Sequence, residues 1–123
     1  MTDDTADTAR ADCLFCRIVD GEVPADVVAE GEGWIAFRDI DPQAPVHVLI
    51  IPKRHVESVA ALDAGDAEAA GGLLLAAAQA ARELELDDDG YRLVTNHGEK
   101  AGQSVFHLHL HLLGGRRMAW PPG

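Results

Sequence analysis

Positive charge is scarce in this sequence. Ten Lys and Arg stand against 21 Asp and Glu, a formal net charge of -11 over 123 residues, which opposes binding along a nucleic-acid backbone or on an anionic membrane surface. Any nucleotide ligand must therefore be gripped locally. Only Lys53 and Lys100 are lysines, a bias that fits both a high-salt cytosol and GC-rich coding. Cysteine is limited to Cys13 and Cys16, and with no sign of secretion a structural disulfide is not expected. No apolar run reaches the ~18 to 20 residues of a membrane span. The acidic, polar start MTDDTADTAR is unlike a signal peptide, so the expected location is cytoplasmic.

What is present is enough apolar material, 47% of the chain, for one domain with a sizeable core. Residues 1–12 show no apolar periodicity and read as a mobile acidic tail, leaving residues 13–123 as a single domain. Cys13 to Val19 has the spacing of a short helix, stopped by Gly21 and Pro24. Val27–Ala29 and Trp34–Arg38 read as two strands joined by a turn at Gly31-Glu32-Gly33, and the β-branched run Val46–Ile51, closed by Pro52, as a central strand. A long helix, capped by Asp63 or Asp66, should run to about Leu86 with Leu73, Leu74, Ala77, Ala78, Ala81 and Leu84 as its buried stripe. Tyr91–Thr95 forms a fourth strand and Asn96–Gly102 a loop. The sum is an α+β fold: a five-stranded, mostly antiparallel sheet with one long helix on one face and a short N-terminal helix.

The fifth strand carries the chemistry. In Phe106-His107-Leu108-His109-Leu110-His111-Leu112-Leu113, alternation sends Phe106, Leu108, Leu110 and Leu112 to a core and places His107, His109 and His111 together on the other face, each ~6.7 Å from the next. Imidazole titrates near neutrality and serves as nucleophile, acid-base group or metal ligand, so three on one face mark a reaction centre. Just before them, Gly98-Glu99-Lys100-Ala101-Gly102-Gln103-Ser104-Val105 offers two glycines that let main-chain N–H groups approach an anion, and a Ser104 hydroxyl beside them. The pair of features suits a phosphate. Cys13 and Cys16 form a CxxC that, by itself, fits a redox pair, buried thiols or part of a metal site.

Gly102 through His111 resembles the signature of the histidine-triad (HIT) superfamily, HxHxHxx with apolar x. Asp39-Ile40-Asp41-Pro42-Gln43-Ala44-Pro45-Val46-His47, then Ile51-Pro52-Lys53-Arg54-His55, and the end Gly114-Gly115-Arg116-Arg117-Met118-Ala119-Trp120-Pro121-Pro122-Gly123 are similar to the Hint branch in particular. The resemblance implies a homodimeric hydrolase of phosphoramidate or acyl derivatives of purine nucleoside 5′-monophosphates (AMP, GMP), with no catalytic metal. It implies that His109 is the nucleophile, forming a nucleotidyl-histidine, that His111 and Ser104 hold phosphoryl oxygens, and that Gln103 and Ser104 assist the leaving group. It places Asp39 on the ribose hydroxyls, Ile40 beside the ribose, Ile18, Phe37 and Leu49 around the base, and Asn96 near the phosphate. His107 would accept a bond from His109 through its carbonyl, His47 would orient the triad from behind, and Trp120 would contact the leaving group across the dimer. Some members bind a structural Zn²⁺ through the equivalents of Cys13, Cys16, His55 and His107. His97 has no role in this scheme and reads as a solvated loop residue. A dinucleoside polyphosphate hydrolase and a nucleotide-binding dimer acting mainly on protein partners are the alternatives. A hexose-phosphate nucleotidyltransferase is disfavoured by His111, where that group has Gln, and by the short chain.

Overall fold

The computed structural model describes residues 12–123, so the tail expected over residues 1–12 falls, up to residue 11, outside the described residues. Among the described residues, seven regular elements follow in order: α1 (Leu14–Val19), β1 (Val27–Gly31), β2 (Trp34–Arg38), β3 (Val46–Pro52), α2 (Ala67–Glu83), β4 (Tyr91–Val94) and β5 (Leu110–Gly114), with short 3₁₀ turns between them. The strands form one sheet in the order β1-β2-β3-β5-β4, antiparallel at all four joins. β1 and β2 pair through a tight turn, β2 and β3 through residues 39–45, and β4 and β5 through the longer loop 95–109, while α2 carries the chain across the sheet so that β5 inserts between β3 and β4. Among the described residues, no helix is long and apolar enough to cross a membrane.

Helix α2 covers one face. Leu73, Ala76, Ala77, Ala80 and Ala81 bury against Ala36, Val48, Ile50, Leu110 and Leu112; four alanines on that stripe let the helix backbone approach the sheet closely. The expected stripe is therefore displaced, for Leu74 is 56% exposed while Ala76 and Ala80 are buried. Asp63 caps the 3₁₀ turn Ala64–Asp66 that leads into α2, in a reciprocal bond pair with Asp66. The helix ends at Glu83, earlier than Leu86, and Glu85 then adopts a positive φ of 59°.

The opposite face carries a smaller cluster in which α1 lays Phe15 and Cys16 on Ile35, Phe37, Leu49 and Ile51. This second layer leaves part of the sheet open beside α1, and the functional cleft lies there. β1 is longer than expected, reaching Gly31. β5 is shorter: ladder pairing starts at Leu110, not at Phe106. Continuing the β3–β5 register would set Leu108 against Pro52, which has no N–H to donate. Leu108 instead donates to the Val56 carbonyl at 2.6 Å. Leu108, Leu110 and Leu112 are buried as expected, but Phe106, beyond the ladder, is 51% exposed.

Candidate active site

His109 stands at the entrance to β5 with its ring edge-on to Phe15 of α1, centroids 5.1 Å apart. Its Nδ1 lies 2.6 Å from the His107 carbonyl. A carbonyl only accepts, so the proton sits on Nδ1 and the lone pair is left on Nε2. Burial lowers the pKa of His109, an effect partly offset by the bond to His107 and by the negative Asp39; the neutral, nucleophilic form is thus the resting one. The Thr95 hydroxyl donates to the His109 carbonyl at 2.9 Å and steadies the main chain on the β4 side.

His111, two residues on and within the ladder, shares the face of His109, ring centroids 4.9 Å apart. Its pKa is lowered to about 4 by burial and by the neighbouring His109 and His47. His47 on β3 reaches across from behind, Nε2 to His111 Nδ1 at 2.9 Å, with the Gln43 main-chain N–H on its Nδ1 at 3.0 Å. Burial also lowers the pKa of His47, against the opposing pull of Asp39 and Asp41. Asp39 approaches His47 Nε2 at 3.4 Å and uses its other oxygen to accept the Asp41 N–H at 2.8 Å. Asp39, His47 and His111 converge closely enough to suggest a metal site, but the N–H on His47 Nδ1 and the direct His47–His111 bond make the group a hydrogen-bonded relay.

His109, His111 and Asp39 border a cleft of about 790 Å³, within the range of small-molecule sites. Ile18, Phe37 and Leu49 form an apolar wall, and Asp39, Ile40 and Ser104 line the same cleft as His109 and His111. The structure thus brings together the nucleophile candidate, a carboxylate, a hydroxyl and a flat apolar slot. Ile40 is 99% exposed at the rim, so it reaches a ligand only from the outside.

Two expected contacts take other positions. Gln103 is buried, and its side chain is committed to the loop: Oε1 accepts the Gly98 N–H at 2.9 Å while Nε2 donates to the Glu57 and Val105 carbonyls at 2.7 and 3.2 Å. It braces the turn that presents Ser104 instead of lining the cleft. Asn96 is half-buried and also lies outside the cleft lining. Trp120 is 81% exposed, with the Arg92 guanidinium 5.9 Å from its ring, away from this chain's own cleft. His97 is exposed as expected but is hydrogen-bonded to Ser58 Oγ at 2.7 Å. Phe15, which packs edge-to-face with both His107 and His109, and the Gln43 N–H left no mark in the sequence pattern, save that Phe15 lies inside the CxxC.

Behind the nucleophile lies a second constellation. Cys13 Sγ is 3.3 Å from His107 Nδ1, and Cys16 Sγ is 3.2 Å from His55 Nδ1 and 3.5 Å from His107 Nδ1. A tetrahedral zinc ion would set sulfur and nitrogen ligands about 3.5 Å apart. His107 Nε2 lies 2.8 Å from the Pro52 carbonyl, which fixes the proton there and turns the Nδ1 lone pair toward the thiols, as metal ligation requires. The four residues converge within 4.8 Å and three of them are buried, so their donor chemistry fits a closed site.

Residues 20–118 match the HIT domain family model. The sequence is 48% identical over 112 residues to a HIT-like protein of Synechocystis, covering 91% of this chain and 97% of that one. The crystal structure of a HIT family hydrolase from Legionella pneumophila is 51% identical with a TM-score of 0.89, covering 91% of this chain and 100% of that one. A histidine triad nucleotide-binding protein from Candida albicans is 32% identical with a TM-score of 0.77, over 89% and 83% of the two chains. The chain belongs to the HIT family.

Proposed function

We propose that the protein hydrolyses P–N or acyl-phosphate bonds of purine nucleoside 5′-monophosphate derivatives through a nucleotide carried on His109. The observation that carries this reading is the His109 Nδ1 to His107 carbonyl bond of 2.6 Å, which leaves Nε2 unprotonated at the cleft. In the first step the Nε2 lone pair attacks the α-phosphorus, the bond to the leaving group breaks, and the departing amine takes a proton from solvent water. Water then attacks the phosphorus, breaks the P–Nε2 bond and releases the nucleoside monophosphate. Ser104 and His111 would stabilise the charged phosphoryl oxygens. Asp39 would accept from both ribose hydroxyls, with Ile18, Phe37 and Leu49 enclosing the base and Ile40 the outer side of the ribose. HIT family hydrolases among its solved relatives support the reaction class.

Cys13, Cys16, His55 and His107 would hold a zinc ion whose chemistry is structural, joining α1 to the strand that carries His109. No catalytic step needs a metal. The protein would act in the cytoplasm as a homodimer, residues 13–123 working as one domain, an assembly supported by the edge strand β4 and by Leu74 and Leu75 exposed on α2. Turnover of adenosine and guanosine phosphoramidates beside diadenosine polyphosphates tests the substrate class. Preference for the phosphoramidates is expected; cleavage of the dinucleotides alone would replace this reading with a dinucleoside polyphosphate hydrolase.

A further inference from the structure

We infer that Gln43, through its main-chain N–H, and Arg116, through its hold on the Gln43 carbonyl, are positioning residues that fix which nitrogen of His47 and of His111 carries the proton. His111 then meets the substrate as a hydrogen-bond donor. The contact with a phosphoryl oxygen rests on the function proposed above, while the proton pattern is a property of the free protein.

The argument runs outward from one obligatory donor. A main-chain N–H can only donate, so the 3.0 Å contact from Gln43 N to His47 Nδ1 requires a lone pair on Nδ1. His47 is therefore neutral and carries its proton on Nε2; a second proton on Nδ1 would face the Gln43 N–H directly. His47 Nε2 lies 2.9 Å from His111 Nδ1, so its N–H donates there and His111 Nδ1 accepts. The remaining proton of a neutral His111 then sits on Nε2, available to the cleft that His111 lines. Asp39, 3.4 Å from His47 Nε2, shares that N–H and favours the same tautomer. Were the polarity reversed, His111 would offer a lone pair to a phosphoryl oxygen and repel it.

Gln43 sits in an exposed turn, and the turn is held from two sides. Within it, the Gln43 amide donates to the Asp41 carbonyl at 3.0 Å. From outside, the segment that follows β5 lies on it: Arg116 Nε donates to the Gln43 carbonyl at 3.2 Å. Gly115 there has φ of 86°, and a Cβ on it would stand 2.9 Å from Pro45 Cβ. The glycine permits the close approach that brings Arg116 onto the turn. The chain after the histidine strand thus closes back on the residue that sets the strand's protonation.

The test is read in substrate-free protein, so it stands apart from any failure of the proposed activity. Long-range ¹H–¹⁵N spectra of ¹⁵N-labelled protein at neutral pH should report the Nε2–H tautomer for both His47 and His111, with scalar coupling across the Gln43 N to His47 Nδ1 bond. A charged or Nδ1–H form of His47 would overturn the inference without any mutation. Gln43→Ala keeps the main-chain donor but loses the bond to the Asp41 carbonyl, so both histidines should keep their tautomers while the coupling weakens. Gln43→Pro removes it and should leave neither histidine in a single tautomer, with kcat falling on the order of 10- to 100-fold and KM nearly constant. Arg116→Ala should weaken the coupling and Arg116→Lys restore it. A folded Gln43→Pro protein with the original tautomers, or an Arg116→Ala protein with undiminished coupling, would show that these residues do not set the pattern.

Discussion

The His107 main-chain carbonyl accepts the His109 Nδ1–H at 2.6 Å, while the His107 ring is fastened to the Pro52 carbonyl by Nε2 and faces the Cys13 and Cys16 thiols with Nδ1. One residue therefore belongs both to the proposed zinc site and to the support of the nucleophile. Removing the metal should loosen that support without deleting any group that touches substrate. Protein purified without chelator should contain about one zinc per chain, and Cys16→Ser should lower Tm by more than about 5 °C while kcat changes less. Elemental analysis and thermal melts check this; metal-free wild-type protein with an unchanged melt after chelation would remove the zinc from the account.

Acid should affect stability through His111. Its imidazole takes a proton near 6.5 when unfolded but only near about 4 in the fold, so between these values the unfolded chain binds more protons. The contribution of this group is complete above about pH 6.5 and is lost progressively as the pH falls toward about 4. Melting curves across this window should show a Tm decline that is shallower in His111→Gln. Equal declines in the two proteins would contradict the assigned burial.

Gly114 meets α2's exit segment so closely that a Cβ there would stand 2.8 Å from Leu86 Cδ2, inside the buried core. Gly114→Ala should cost about 1–3 kcal/mol through overpacking and be read as a lower denaturation midpoint in urea. Leu86→Ala in the same background should recover part of the loss.

Trp120 is exposed on its own chain, with the Arg92 guanidinium 5.9 Å from its ring. If it completes the cleft of a second protomer, Trp120→Ala should alter selectivity among leaving groups more than affinity for a bare nucleoside monophosphate. Identical leaving-group profiles for mutant and wild type, or a monomer by light scattering at micromolar concentration, would contradict that role.

The five strands, the long helix and the shared face of His109 and His111 were legible because alternation and helical periodicity are local properties of the chain, whereas the insertion of β5 between β3 and β4 is not. The displaced stripe of α2 was not, since Leu74 and Ala76 flank the Leu73–Ala77–Ala81 line on opposite sides and only the sheet decides which flank is buried. The side-chain bonds of Gln103 were hidden for a related reason: a polar residue beside a glycine loop reads as a ligand contact, whereas its partners, the Gly98 N–H and the Glu57 and Val105 carbonyls, are visible only when the loop closes. The Gln43 N–H escaped notice because main-chain groups leave no mark in the residue alphabet. Asp39, Ile18, Phe37 and Leu49 line the same cleft as His109 and His111.

The most direct test of the account is single-turnover trapping of the nucleotide on the enzyme. A labelled adenosine phosphoramidate, mixed with excess wild-type protein and quenched in base to spare the acid-labile P–N bond, should leave label on the peptide containing His109. His109→Ala should carry none and lose on the order of 10⁴-fold or more in kcat, while still binding nucleotide. Full turnover by wild-type protein with no label at any time point, or label on a different residue, would contradict covalent catalysis by His109.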